Sequence, residues 1–152
     1  MKTAYDTSSY MNGRLEPDKR SIRIKRAVKA LKKYESKYDT IAFRGMSGAL
    51  YAPELATRLK KHLIIVRKNT KDCHSDHIVE GHQTCQNYII VDDFINTGHT
   101  VWKIRKAVKR FAPDAKCIGV LQINELTSDR VAKNKKLSKV AEEVPKGWDY
   151  VY

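Results

Sequence analysis

The sequence predicts an α/β domain built on a mostly parallel sheet flanked by helices. Short apolar runs of strand length recur at 40–43, 62–66, 88–91 and 117–121. The segments between the first two, and between the last two, carry helical spacing or helix-boundary residues, and strands alternating with helices are the pattern of crossover-connected parallel strands. A length of 152 residues suits one domain with one core of its own.

The first element is an amphipathic helix from Pro17 to about Tyr38. Ile24, Val28, Leu31 and Tyr34 recur at helical spacing, while Lys25, Lys29, Lys32 and Lys33 fill the other face. The run Thr40-Ile41-Ala42-Phe43 reads as a strand, ended by a turn at Arg44-Gly45-Met46-Ser47-Gly48. A helix then runs to about Lys61, its regular part starting near Ala52 because Pro53 is tolerated only in a first turn. His62 to Val66 is too short and too β-branched for a helix and is a second buried strand. Residues 68–87 are polar and without periodicity, the mark of a functional or mobile loop. Tyr88-Ile89-Ile90-Val91 forms the third strand. After a turn around Gly98, a helix extends from about Thr100 to Phe111, with Val101, Ile104, Val108 and Phe111 as its buried stripe. Pro113 stops it, and Cys117 to Leu121 supplies a fourth strand. A Lys-rich segment at 128–143 reads as helical, followed by the aromatic end Trp148-Asp149-Tyr150-Val151-Tyr152.

Composition narrows the function. At 41% hydrophobic and 31% charged residues, the chain is neither collagen-like, disordered nor a disulfide scaffold. No apolar run approaches the roughly 20 residues that span a bilayer, and the polar start lacks the apolar stretch of a signal peptide, so the expected location is cytoplasmic, without a membrane partner. Thirty Lys and Arg against 17 Asp and Glu leave a charge of +13, whose field attracts phosphorylated ligands and nucleic acid. Three cysteines, an odd number, do not make a disulfide framework.

The most informative stretch is Ile89 to Thr100. A buried strand delivers Asp92 and Asp93 to its C-terminal end, where open α/β sheets bind ligands, and the chain turns through Gly98 into a helix. Backbone N–H groups at that helix start, with the hydroxyls of Thr97 and Thr100, suit a phosphate monoester. Asp92 and Asp93 suit sugar hydroxyls or a metal ion. The bland alternative is a helix cap and an ordinary turn.

This segment resembles the phosphoribosyl pyrophosphate (PRPP) motif of the type I phosphoribosyltransferases. The resemblance implies that Asp92 and Asp93 take the ribose and Asn96, Thr97, Gly98, His99 and Thr100 take the 5-phosphate, with His99 where the family often has a second glycine. Other parts fall in the family's order across roughly 38–122. Arg44, Gly45, Met46, Ser47 and Gly48 resemble the pyrophosphate loop. Arg67-Lys68-Asn69-Thr70-Lys71-Asp72 is similar to the opening of the mobile catalytic loop of orotate-type members, which closes over pyrophosphate, commonly from the partner subunit of a dimer; Cys73 intervenes before His74.

The resemblance therefore implies a single-domain type I phosphoribosyltransferase-like fold with a small hood from the N-terminal segment and 123–152, and a homodimer. It implies a Mg²⁺-dependent transfer of the 5-phosphoribosyl group to a ring nitrogen of a nucleobase, with pyrophosphate released, as in nucleotide salvage. Lys68, Lys71 and His74 would stabilise the leaving group, and Asp92 and Asp93 the ribose charge and the metal. Trp148 and Tyr150 are candidates for stacking on the base, or for ordinary packing. Orotate ranks slightly ahead of a purine as acceptor. The rival reading is a nucleic-acid-binding regulator on the same fold. Cys73, His74, His77, His82 and Cys85 have the ligand types of a zinc site without the spacing of a finger, and a polar loop collecting His explains them equally.

Overall fold

The computed structural model describes residues 13–71, 74–93 and 98–123. Helix α1 (Pro17–Lys32) leads through a short 3₁₀ turn, Glu35–Lys37, into β1 (Thr40–Arg44), then α2 (Gly45–Ala49), α3 (Ala52–Leu59), β2 (His62–Val66), β3 (Val79–Gly81), β4 (Asn87–Asp92), α4 (His99–Phe111) and β5 (Lys116–Gln122). The five strands form one sheet in the order β3-β2-β1-β4-β5. β1 pairs parallel with both β2 and β4, and β4 pairs parallel with β5.

Side-chain alternation along the strands divides the core into two layers. Ile41 and Phe43 of β1, with Ile89 and Val91 of β4, pack against Ile24 and Leu31 of α1 and Leu55 and Leu59 of α3. Ala42, Ile64, Val66 and Ile90 face the other way onto Val101, Ile104 and Val108 of α4. Both faces of the central strands are thus covered, which explains why their sequences are continuous apolar runs rather than alternating ones. Each of the α4 stripe residues contributes about 1.5–3 kcal/mol by leaving water, and Phe111, expected with them, is half-buried at the end of the stripe.

Three expectations change. The first helix ends at Lys32 rather than near Tyr38, because Tyr34 and the 3₁₀ turn reverse the chain so that Tyr38 enters β1 extended and buried. The expected turn after β1 is the short helix α2. The segment 68–87 is not wholly irregular: Val79–Gly81 returns antiparallel along β2, Val66 opposite Val79 and Ile64 opposite Gly81. Three residues containing a glycine are too few for a period to show in sequence. Pro53 sits in the first turn of α3, where its missing N–H has no intrahelical partner to lose. The Lys-rich segment 128–143 and the aromatic end lie outside the described residues. Among the described residues no helix is long and apolar enough to cross a membrane.

A carboxylate ties the opposite end of the sheet together. Asp39 Oδ2 accepts the backbone N–H groups of Gln86 (3.0 Å) and Asn87 (2.9 Å), while its own carbonyl accepts from His62 N at 3.0 Å. The entries of β1, β2 and β4 are thereby joined at one residue. Burial raises the Asp39 pKa, but the hydrogen bonds from Thr40, Asn87 and Gln86 outweigh it and leave the carboxyl below its ordinary value.

Candidate active site

Parallel pairing sends the C-terminal ends of β1, β2 and β4 to the same edge, and the residues just past them form the site. β4 ends in Asp92, followed by Asp93; both are buried, at 5% and 4% exposed. The Asp93 backbone N–H donates to Asp92 Oδ1 at 2.9 Å. Burial, then the neighbouring Asp93 carboxyl, push the Asp92 pKa up to about 7, with Lys68 pulling the other way. The Asp92 carboxyl so placed ionises less readily at neutral pH unless a cation joins it.

Cations stand around the pair. Arg14, from the segment before α1, reaches Asp93 Oδ2 with Nη2 at 3.4 Å, and its side chain is only 10% exposed. Lys68, just after β2, folds over Gly45. Gly45 has φ 77, and a Cβ there would lie 2.8 Å from Lys68 Cε. Only glycine accepts that backbone conformation while leaving room for the lysine stem. Arg44 Nη2 donates to the Lys68 carbonyl at 3.5 Å. The α2 loop therefore presents backbone next to an ammonium group, as an anion site requires.

Gly98 opens α4 at φ 79, and among the described residues no side chain caps the helix, so the first-turn N–H groups of His99, Thr100 and Val101 face the same end of the sheet. His99 is exposed, and its slight burial and the charges of Lys103 and Arg44 keep its pKa below the ordinary value. A cavity of about 440 Å³ opens beside this point between α4 and the β2–β3 hairpin. Arg44, Arg67 and Lys68 stand on one wall and Lys103, Lys106 and Arg110 on the other.

The structure brings together Arg44, Gly45, Lys68, Asp92, Asp93 and Gly98. Gly48 is buried, Ser47 half-buried and Met46 exposed on α2. Arg67 is drawn to the hairpin, bonding Glu80 Oε1 through Nη2 at 2.6 Å. Lys71 and His74 are exposed beyond β2. Asn96, Thr97, Trp148 and Tyr150 lie outside the described residues, as does Cys73. The other zinc candidates diverge: His82 stacks on His62 with ring centroids 3.9 Å apart, His77 lines the cavity, and Cys85 is buried beside Asp39 and Thr40. Among the described residues no group of three or more His, Cys, Asp or Glu is placed to hold a metal ion. Sequence reasoning missed Arg14, whose partner is far away in the chain, and Glu80.

A parallel sheet that carries buried paired acids at the end of β4, a glycine-bearing loop after β1 and an uncapped helix after Gly98 defines the class: the type I phosphoribosyltransferase fold. Solved structures similar to the chain bear this out. Adenine phosphoribosyltransferase from Thermoanaerobacter pseudethanolicus superposes with a TM-score of 0.58 at 22% identity, over 78% of this chain and 76% of that one. Orotate phosphoribosyltransferase from Aeropyrum pernix gives 0.56 at 18% identity, over 88% and 75%. The adenine enzyme from Saccharomyces cerevisiae gives 0.55 at 23%, over 69% and 67%. No protein-family model matches the sequence, and no curated protein does.

Proposed function

We propose that this chain is a phosphoribosyltransferase that moves the 5-phosphoribosyl group of PRPP to a ring nitrogen of a nucleobase and releases pyrophosphate. The observation that carries the reading is the buried Asp92–Asp93 pair at the end of β4, facing Lys68 over Gly45 and followed by the open start of α4. In this reading Asp92 and Asp93 accept the ribose hydroxyls and favour positive charge developing on the ring. The α4 start, with Asn96 and Thr97, holds the 5-phosphate. Arg44 to Gly48 and Lys68 hold the pyrophosphate, and Lys71 and His74 approach it from the loop to stabilise its departing charge.

Mg²⁺ fits the donor set: two buried carboxylates, of which one resists ionising alone, match a hard cation bound through one or two carboxylates and substrate oxygens. When bound it neutralises charge on the diphosphate. Asp92 and Asp93 are the residues that would hold it.

Both adenine and orotate enzymes are similar in structure to the chain, so the acceptor is chosen on other grounds. The Arg67-Lys68-x-x-Lys71-Asp72 run and the basic surroundings favour anionic orotate slightly over a purine. A homodimer in which the loop carrying Lys71 and His74 reaches the partner's site, and a cytoplasmic place in nucleotide salvage, complete the reading. The test is pyrophosphate release from PRPP with Mg²⁺ and a panel of orotate, adenine, hypoxanthine and guanine. Turnover of one base supports it; no turnover and no calorimetric heat with Mg²⁺-PRPP would overturn it. Turnover of a purine alone would reverse the ranking of acceptors.

A further inference from the structure

The most one-sidedly charged element starts at the ribose site and runs well beyond it. α4 carries Lys103, Arg105, Lys106, Lys109 and Arg110 and no acidic residue. Its packing on the sheet uses Val101, Ile104 and Val108, with Ala107 and Phe111 beside them, so the packing itself does not call for cations on the remaining surface. A groove of about 610 Å³ runs between α4 and β5, the outer strand of the described sheet. It is lined by Tyr88, Trp102, Arg105, Lys106, Lys109 and Lys116, with no Asp or Glu among the lining residues. Lys106 Nζ lies 4.8 Å from the centre of the Trp102 ring, and Lys109 is steadied by a hydrogen bond to the Pro113 carbonyl. Among the described residues no carboxylate forms a salt bridge with Arg105, Lys109 or Lys116.

We infer that this groove binds single-stranded nucleic acid. Cations on both walls of a groove beside an aromatic ring are what a flexible strand of phosphates and bases needs: Arg105, Lys106 and Lys109 of α4 and Lys116 of β5 follow the backbone, and Trp102 offers a surface on which a base stacks. A duplex fits less well. The major groove is about 12 Å wide and a helix with its side chains about 10–12 Å across, so a reading helix must stand free, whereas α4 lies with one face on the sheet. An acidic peptide would satisfy the charge but would leave the ring without a flat partner. None of the lining residues belongs to the pyrophosphate loop, the acidic pair or the start of α4, so the inference stands independently of the proposed transferase activity.

The experiment is fluorescence anisotropy of a labelled 12-nucleotide RNA with the full chain, without PRPP, at 50 and 200 mM salt. Four phosphate contacts on a single strand give a log–log salt slope of about −2.8, a loss of roughly 50-fold in affinity across that range. Replacing Arg105, Lys109 and Lys116 together by Gln should bring the slope to about −0.7. Trp102→Ala should weaken binding roughly 10-fold, and Trp102→Phe should restore most of it because the ring is kept. Asp92→Asn should leave RNA binding unchanged. The inference is overturned if the triple variant keeps the wild-type slope, if Trp102→Ala binds as tightly as wild type, or if a duplex of the same length or polyglutamate binds more tightly than the single strand.

Discussion

Replacing Asp92 by Asn should make the ligand-free protein more resistant to unfolding at alkaline pH while removing its hold on PRPP. The side chain is 5% exposed and its carboxyl titrates at about 7 in the fold, against 3.8 in an ordinary setting. Across that window the folded chain holds a proton that the unfolded chain has lost. The stabilising effect of this group is full below about pH 4, declines as pH rises, and is gone above 7. At about 1.4 kcal/mol per pH unit the decline amounts to roughly 4 kcal/mol. Asn cannot ionise, yet its Oδ1 still accepts the Asp93 N–H that lies 2.9 Å from Asp92 Oδ1. Urea unfolding of both proteins at pH 4.5, 6, 7 and 8 isolates the effect of the acidic pair, because titrating groups remote from Asp92 and Asp93 cancel in the difference. The variant should gain on wild type by about 3–4 kcal/mol between pH 4.5 and 8. A difference that is flat, or that slopes the other way, would refute the assignment of the raised pKa to burial beside Asp93.

Further outcomes concern the cations around the pair and the proposed loop. Arg14→Met should destabilise the fold by about 3 kcal/mol in urea, since Asp93 stays buried after losing the guanidinium 3.4 Å away. Gly45→Ala, with a Cβ 2.8 Å from Lys68 Cε and a left-handed backbone, should cost about 1 kcal/mol of stability and raise the KM for PRPP several-fold. Lys71→Ala should lower turnover by more than tenfold with little change in PRPP affinity, measured by steady-state kinetics beside calorimetry. Trp148→Ala should raise the KM for the base and leave PRPP binding alone.

The framework was legible because its signals are local. β-branched runs such as Leu63-Ile64-Ile65-Val66 and the α4 stripe at Val101, Ile104 and Val108 are set by periodicity, and the structure places both within a residue or two of expectation. Asp92 and Asp93 were visible for the same reason: a strand's end and a following glycine mark them in sequence. What escaped depends on contacts between distant positions. β3 exists only because Val79–Gly81 meets β2 across a hairpin. Arg14 belongs to the site only because α1 packs against α3 and brings Arg14 to the end of β4. The zinc candidates His77, His82 and Cys85 are close in sequence, but β3 and the burial of Cys85 pull them apart.

Asp39 also orders events in time. Its bond to the Asn87 amide joins positions 48 residues apart, whereas β2 lies much nearer in sequence. At a synthesis rate of about 5–20 residues per second, β1 and β2 can pair some 1–5 s before β4 exists to fill the other edge of β1. During that interval Ile41 and Phe43 have only α1 and α3 to cover them, and the Asp39 carboxylate waits in water. β1 gains its second neighbour when β4 arrives, so the strand that ends in the acidic pair also completes the pairing of β1. Assembly of the site is thereby tied to the closing of the sheet's centre, and a nascent chain truncated before residue 87 has neither.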